Sequence, residues 1–183
     1  MSAVPVVLGF KPSSHGFAWV AFSSPFSIND WGVVDVRADK NARCLERFEQ
    51  LIGRFSAHTL VIEAFEGAEA KVSQRVERLY RAVIALATAK GIDVVMFGRK
   101  DVRACFVNVG ARTRHEVASA IARSFEILRD LLPEKRRPWE PPHRRMALFD
   151  AAAVVLTHFH LGASQLFDDL LARSENGSEV EEG

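Results

Sequence analysis

Cysteine is scarce: two in 183 residues, Cys44 and Cys105, too few for a disulfide scaffold and without the spacing of a zinc site. Both read as reduced thiols of a cytoplasmic protein. Residues 1–10 lack the basic start and long apolar stretch of a secretory leader, and no apolar run anywhere approaches the roughly 18–20 residues of a membrane span. Secreted and membrane classes are therefore set aside, and no membrane partner is expected. Net charge is also small, with 24 Lys and Arg against 23 Asp and Glu. What is present is the composition of one soluble globular domain, 48% hydrophobic and 26% charged. A chain of this length buries a core without help from a disulfide or a structural metal.

The near-neutral total hides an asymmetry. The last ten residues carry Glu175, Glu179, Glu181 and Glu182 with no Lys or Arg, which leaves the rest of the chain with 24 basic against 19 acidic groups. Between Gly98 and Arg145 there are twelve basic residues and six acidic ones. A clustered positive field of this kind gathers polyanions, although solvated Arg on a helix surface is the plainer reading of any one of them. The acidic tail, 173–183, has the composition of a disordered segment.

Along the chain, Val4–Phe10 and Phe17–Phe22 are apolar runs separated by a turn, and Gly32–Val36 reads as a third strand of an antiparallel meander. Leu45, Phe48, Leu51, Ile52 and Phe55 have helical spacing, and Thr59–Ile62 is a strand ending at Glu63. A long amphipathic helix over 69–89 is predicted from Val72, Val76, Leu79, Val83 and Leu86, followed by a fifth strand at Ile92–Phe97. Thr113 and Glu116 form a capping box for a helix that carries Val117, Ile121, Leu128 and Leu131 inward as far as Pro133. A last helix is predicted from about Arg144 to His160. This order predicts an α/β fold: a mixed five-stranded sheet, three strands in an antiparallel meander and the rest parallel, flanked by helices on both faces. The organisation expected is a domain over 1–162, a short C-terminal helix over 163–172, and the acidic tail.

Charges at the ends of apolar runs carry the chemistry, because an ionised group in apolar surroundings is costly unless paired or holding a cation. Lys11 ends the run Val6–Phe10, Glu63 ends Leu60–Ile62, and Asp150 stands alone in the run 146–156. If the first and fourth strands are parallel neighbours, Lys11 and Glu63 emerge side by side at the carboxyl ends of the sheet, where open α/β sheets place their sites.

These residues carry a resemblance. Val7-Leu8-Gly9-Phe10-Lys11-Pro12 after an N-terminal strand, Val61-Ile62-Glu63, the stretch from Lys100-Asp101-Val102-Arg103 through Val109 to Arg114, and Asp150-Ala151-Ala152-Ala153 leading to Thr157-His158 together resemble the RuvC-type Holliday junction resolvases of the ribonuclease H-like superfamily. The similarity covers about residues 4 to 160. It implies a ribonuclease H-like fold, a homodimer, branched DNA as partner, and carboxylates that hold two divalent cations, Mg or Mn, for phosphodiester hydrolysis. Glu63 matches the strand-four carboxylate and Asp150 the last helical one. Lys11 stands where the family has its first-strand Asp, and Ala147 where it has Asp or His one turn before the final Asp. An ammonium at position 11 repels a divalent cation and pairs instead with Glu63 and Asp150. The expectation is therefore an impaired metal-dependent endonuclease site, with weak or absent metal binding at Glu63 and Asp150 and Lys11 as a fixed charge in their midst.

Arg103 and Arg114 align with basic positions near the family's scissile phosphate, and Arg112, Lys135, Arg136, Arg137 and Arg144 complete a basic set read as nucleic-acid contacts. Trp139 sits inside the basic loop 135–145. Trp19, Trp31 and the thirteen Phe read as core, and His158 and His160 as cations favoured at the end of the last helix rather than as ligands. Two alternatives stand beside the impaired resolvase. One is an active divergent Mg- or Mn-dependent junction endonuclease that recruits His143, Asp30 or Asp35; the other is an interaction protein that keeps only the fold.

Overall fold

The computed structural model describes residues 4–65 and 72–177. Strands β1 (Val7–Pro12), β2 (Gly16–Ser24) and β3 (Ser27–Asp35) form the meander; α1 (Lys40–Phe55) leads to β4 (Thr59–Glu63), and α2 (Gln74–Ala89) to β5 (Asp93–Phe97). Helices α3 (Arg99–Val107), α4 (Arg114–Ser124), α5 (Glu126–Arg129) and α6 (Met146–Gly177) follow. The sheet order is β3-β2-β1-β4-β5, antiparallel from β1 to β3 and parallel from β1 through β4 to β5. This is the mixed five-stranded sheet that the pattern predicts.

Strand alternation sorts the core into two layers. On one face Leu8, Phe10, Phe17, Trp19, Leu60 and Ile62 pack against α1 and α2 through Phe48, Ile52, Leu79 and Val83. On the other, Val7, Val20, Phe22 and Val61 pack against Ile121, Leu128 and the α6 residues Phe149, Ala152 and Val155. Both faces of β1, β2 and β4 are buried, which is why these strands read as near-continuous apolar runs.

The position of α6 depends on Gly9. A Cβ there would lie 2.5 Å from the Ala151 carbonyl oxygen and 2.7 Å from Val155 Cγ2. Only hydrogen leaves room for the helix backbone to rest on β1, and that approach brings the start of α6 to the carboxyl ends of the central strands.

Several elements differ from the sequence reading. Helix α6 continues without a break through 163–172 to Gly177, so the expected separate helix is the second half of α6. Gly162 alone, at about 1 kcal/mol, is too weak a breaker to stop it. His158 and His160 consequently lie mid-helix, not at a C-terminus; His158 packs on Phe97, and burial pushes its imidazole below the usual range. The segment Met146–Gln165 is long and apolar enough to cross a membrane by length and composition, contrary to the run-length reading, yet 56% of it is buried inside the protein as a core helix. The helix starting at Thr113 breaks at Phe125, whose φ of −125° and ψ of 105° turn its ring edge-on to Phe22, 5.6 Å away. Helix α3 escaped notice because Phe106 is its one fully buried residue. Phe26 (89% exposed) and Phe65 are surface residues, not core. The start of the predicted 69–89 helix and the acidic residues Glu179, Glu181 and Glu182 lie outside the described residues; α2 begins at Gln74, with Ser73 as its cap. Its apolar stripe is spent on the chain's own core.

Candidate functional site

Register places the site. Phe10 is opposite Ile62 on the parallel neighbours β1 and β4, so Lys11 and Glu63 occupy the next row, at the carboxyl ends. Phe10 and Ile62 face α1 and α2, so alternation turns Lys11 and Glu63 toward α6. There the Lys11 ammonium donates to Glu63 Oε2 alone, and not to Asp150 as expected, because Arg114 takes that carboxylate. Arg99, the first residue of α3, donates its Nε to Glu63 Oε1 at 3.0 Å. Arg114, the first residue of α4, grips Asp150 with two parallel bonds, Nε to Oδ1 at 2.9 Å and Nη2 to Oδ2. Such fork-to-fork pairs are the most geometrically specific of ion pairs.

Both carboxylates are shielded: the Glu63 side chain is 14% exposed, Asp150 16% and Lys11 18%. Burial alone would push the Glu63 carboxyl up, but the charge and hydrogen bond of Lys11, joined by Arg99, outweigh it and hold the carboxyl below its usual range. Tyr80 of α2 is buried against Phe10 and Phe65, its hydroxyl without a hydrogen-bond partner among the described residues. Burial, together with the negative charges of Glu63 and Asp150, drives that phenol well above its ordinary value, so it stays neutral.

Around these pairs opens a cleft of about 380 Å³ lined by Lys11, Glu63, Arg99, Arg103, Arg112, Thr113, Arg114 and Asp150, with Val102, Val117, Ala153 and Val154 as its apolar floor. Five cations face two carboxylates. Arg103 and Arg112 have no ion-pair partner among the described residues, so their charge is uncommitted. The capping box is present: the Thr113 hydroxyl accepts from Glu116 N at 3.2 Å, and Glu116 Oε2 accepts from the amides of Arg112 and Thr113 at 2.8 and 3.0 Å. Those amides hold the Glu116 carboxyl below its usual range. The attraction for anions at this helix end therefore comes from side chains more than from free amides.

The structure brings together Lys11, Glu63, Asp150, Arg103, Arg112 and Arg114. It keeps Lys135, Arg136, Arg137 and Arg144 out of this cleft, in the loop before α6; Arg144 pairs there with Asp35. The candidates for added ligands are elsewhere too. Asp30 pairs with Arg54 at 2.8 Å, and His143 lines a different cleft, of about 650 Å³, with Trp31, Asp35 and Pro142. Ala147 is buried, its methyl part of the core. No group of three His, Cys, Asp or Glu able to hold a metal occurs among the described residues. The cysteines are free thiols, pushed up by burial and so poor nucleophiles. Sequence reasoning missed Arg99 as a site residue, although its place directly after Gly98 past the end of β5 puts it at the same sheet edge.

No protein-family model matches the sequence, and no curated protein does. Solved structures do. A structure of Thermus thermophilus RuvC aligns with 23% identity and a TM-score of 0.63 over 87% of this chain and 96% of that one. The fold is that of the RuvC-type resolvases. T. thermophilus RuvC in complex with a Holliday junction substrate aligns at 21% identity and TM-score 0.63, covering 84% of this chain and 92% of that chain. The yeast mitochondrial Holliday junction resolvase Ydc2 aligns at 15% identity and TM-score 0.57, over 86% and 78%. On this RuvC-type fold the described cleft sits at the carboxyl ends of β1 and β4.

Proposed function

We propose that the chain binds branched DNA through the cationic cleft, with fixed side-chain charges standing where RuvC-type enzymes are expected to hold divalent cations. The observation that carries this reading is the pairing of both remaining carboxylates: Glu63 with Lys11 and Arg99, Asp150 with Arg114. A two-cation site needs several ionised oxygens directed at each metal. Here two carboxylates are available and three cations already satisfy them, so the donor set does not fit a pair of Mg²⁺ or Mn²⁺ ions. What the cleft offers a phosphodiester is the guanidinium groups of Arg103 and Arg112, reinforced by Arg99 and Arg114 at its rim. Arg suits this role because its planar fork meets two phosphate oxygens at once. Binding of this kind positions a duplex arm by its phosphates and carries no sequence information. A homodimer would present two such clefts to the symmetric strands of a four-way junction.

The reading is tested by titrating the protein into a labelled four-way junction and a linear duplex of the same composition over a range of salt. Junction binding tighter than duplex binding, with log K falling linearly in log salt, is expected. Equal, negligible binding to both at moderate salt would reject it in favour of a fold kept for protein contacts.

A further inference from the structure

The basic loop that leads into α6 is not part of the cleft, yet it holds an exposed aromatic. Trp139 is 75% exposed, while Trp19 is 6% exposed and packed in the core. An indole held in water among cations leaves a flat π-face open to stacking. The loop displays it on a braced turn. Glu140 Oε2 accepts from the Arg137 amide at 2.8 Å, Glu140 N donates to the Arg137 carbonyl at 3.1 Å, and Arg136 Nη1 donates to the Glu140 carbonyl. Pro138, Pro141 and Pro142 restrict the backbone further. The Arg137 guanidinium lies over the indole, 5.7 Å from its centroid. Lys135, Arg136 and Arg145, in the same loop, are exposed.

We infer that Trp139 is a stacking platform for an unpaired nucleotide, with Arg137 over the ring and Lys135, Arg136 and Arg145 on the flanking phosphates. Sequence-tolerant single-strand binding is built from this combination of a π-face and a cationic track. A membrane surface is a poorer occupant, because interfacial binding buries a whole apolar face and the loop offers a single aromatic. The inference rests on the DNA-binding reading above and adds to it a second, chemically different contact, one that selects unpaired bases at a branch point over continuous duplex.

The test uses the full chain and three probes: a labelled oligothymidylate of about twelve nucleotides, within the usual single-strand site size, a linear duplex, and a four-way junction. Stacking on Trp139 predicts quenching of indole emission by the oligothymidylate that survives in Trp31→Phe, which removes the partly buried indole of β3, and is lost when Trp139→Phe is added, Trp19 being buried. Trp139→Ala is expected to weaken oligothymidylate binding by about fivefold to a hundredfold while duplex affinity changes less than about twofold. Trp139→Phe, which keeps a π-face, is expected to retain most of the affinity. Oligothymidylate affinity unchanged in Trp139→Ala, with junction and duplex still bound by the parent, would overturn the platform and leave the cleft reading standing. Binding of none of the three probes by the parent would overturn both.

Discussion

Replacing Lys11 with Met keeps the length and apolar body of the side chain and removes the ammonium that Glu63 accepts from. The Lys11 and Glu63 side chains are 18% and 14% exposed, so the pair lies nearer the buried than the surface limit. Removing one member of a buried pair costs about 3–5 kcal/mol, and an exposed pair contributes about 0–1 kcal/mol. Arg99 remains on Glu63 but is itself 70% exposed, so it recovers part of the loss. An expected destabilisation of about 2 kcal/mol at pH 7 follows. It is measured by urea unfolding followed by tryptophan emission. The pH dependence provides a second check. The Glu63 carboxyl is held below its usual range, so its stabilisation is present above the unfolded-state value of about 4.3 and is lost as pH falls through the lower folded-state value. Below that, the parent keeps an unpaired, shielded ammonium that Lys11→Met lacks, and the gap between them should close or reverse. A Lys11→Met protein as stable as the parent at pH 7, or a gap that stays constant down to pH 3, would refute the ion-pair account.

Other substitutions probe other parts of the argument. Gly9→Ala should destabilise by about 2–3 kcal/mol in the same unfolding assay, because its Cβ would drive α6 off β1. Thr113→Ala removes a hydroxyl that accepts from Glu116 N at 3.2 Å and should cost about 1 kcal/mol. Changing Arg103 and Arg112 together to Gln should leave the melting temperature nearly unmoved and reduce the slope of log K against log salt for junction binding by about two, since each phosphate contact contributes about 0.9. Lys11→Asp places a third carboxylate at the strand ends and should create Mn²⁺ affinity, read by calorimetry as a heat that the parent does not give.

Much of the scaffold could be read from the order of elements, because apolar runs of strand length alternate with helical spacings and leave few topologies. The parallel pairing of β1 and β4 mattered most: it puts Lys11 beside Glu63, and the contact follows from register and alternation alone. The partner of Asp150 did not follow in this way. A sequence shows that Arg114 opens a helix, but its fork reaches Asp150 only because α4 packs on α6, a relation between two helices that no spacing encodes. Arg99 was hidden for a similar reason, since α3 buries little and gives no strong periodic signal. The α6 boundary was misjudged because the run of apolar residues weakens after His160 while helical propensity persists to Gly177. The basic loop before α6 reads in sequence as one set with the cleft arginines. In three dimensions Arg144 is drawn instead to Asp35, at the carboxyl end of β3, two strands from β1 on the same edge of the sheet, and the loop stays out of the cleft lining.

The central claim is that fixed cations have taken the place of divalent metal at Glu63 and Asp150. It is tested most directly by incubating the protein with an end-labelled four-way junction in EDTA, Mg²⁺ and Mn²⁺ at constant ionic strength, on native and denaturing gels in parallel. The account predicts a junction-selective shift of similar strength in all three conditions, with intact strands throughout. Paired nicks that need Mg²⁺ or Mn²⁺ and disappear in Glu63→Gln would contradict it and make this an active nuclease.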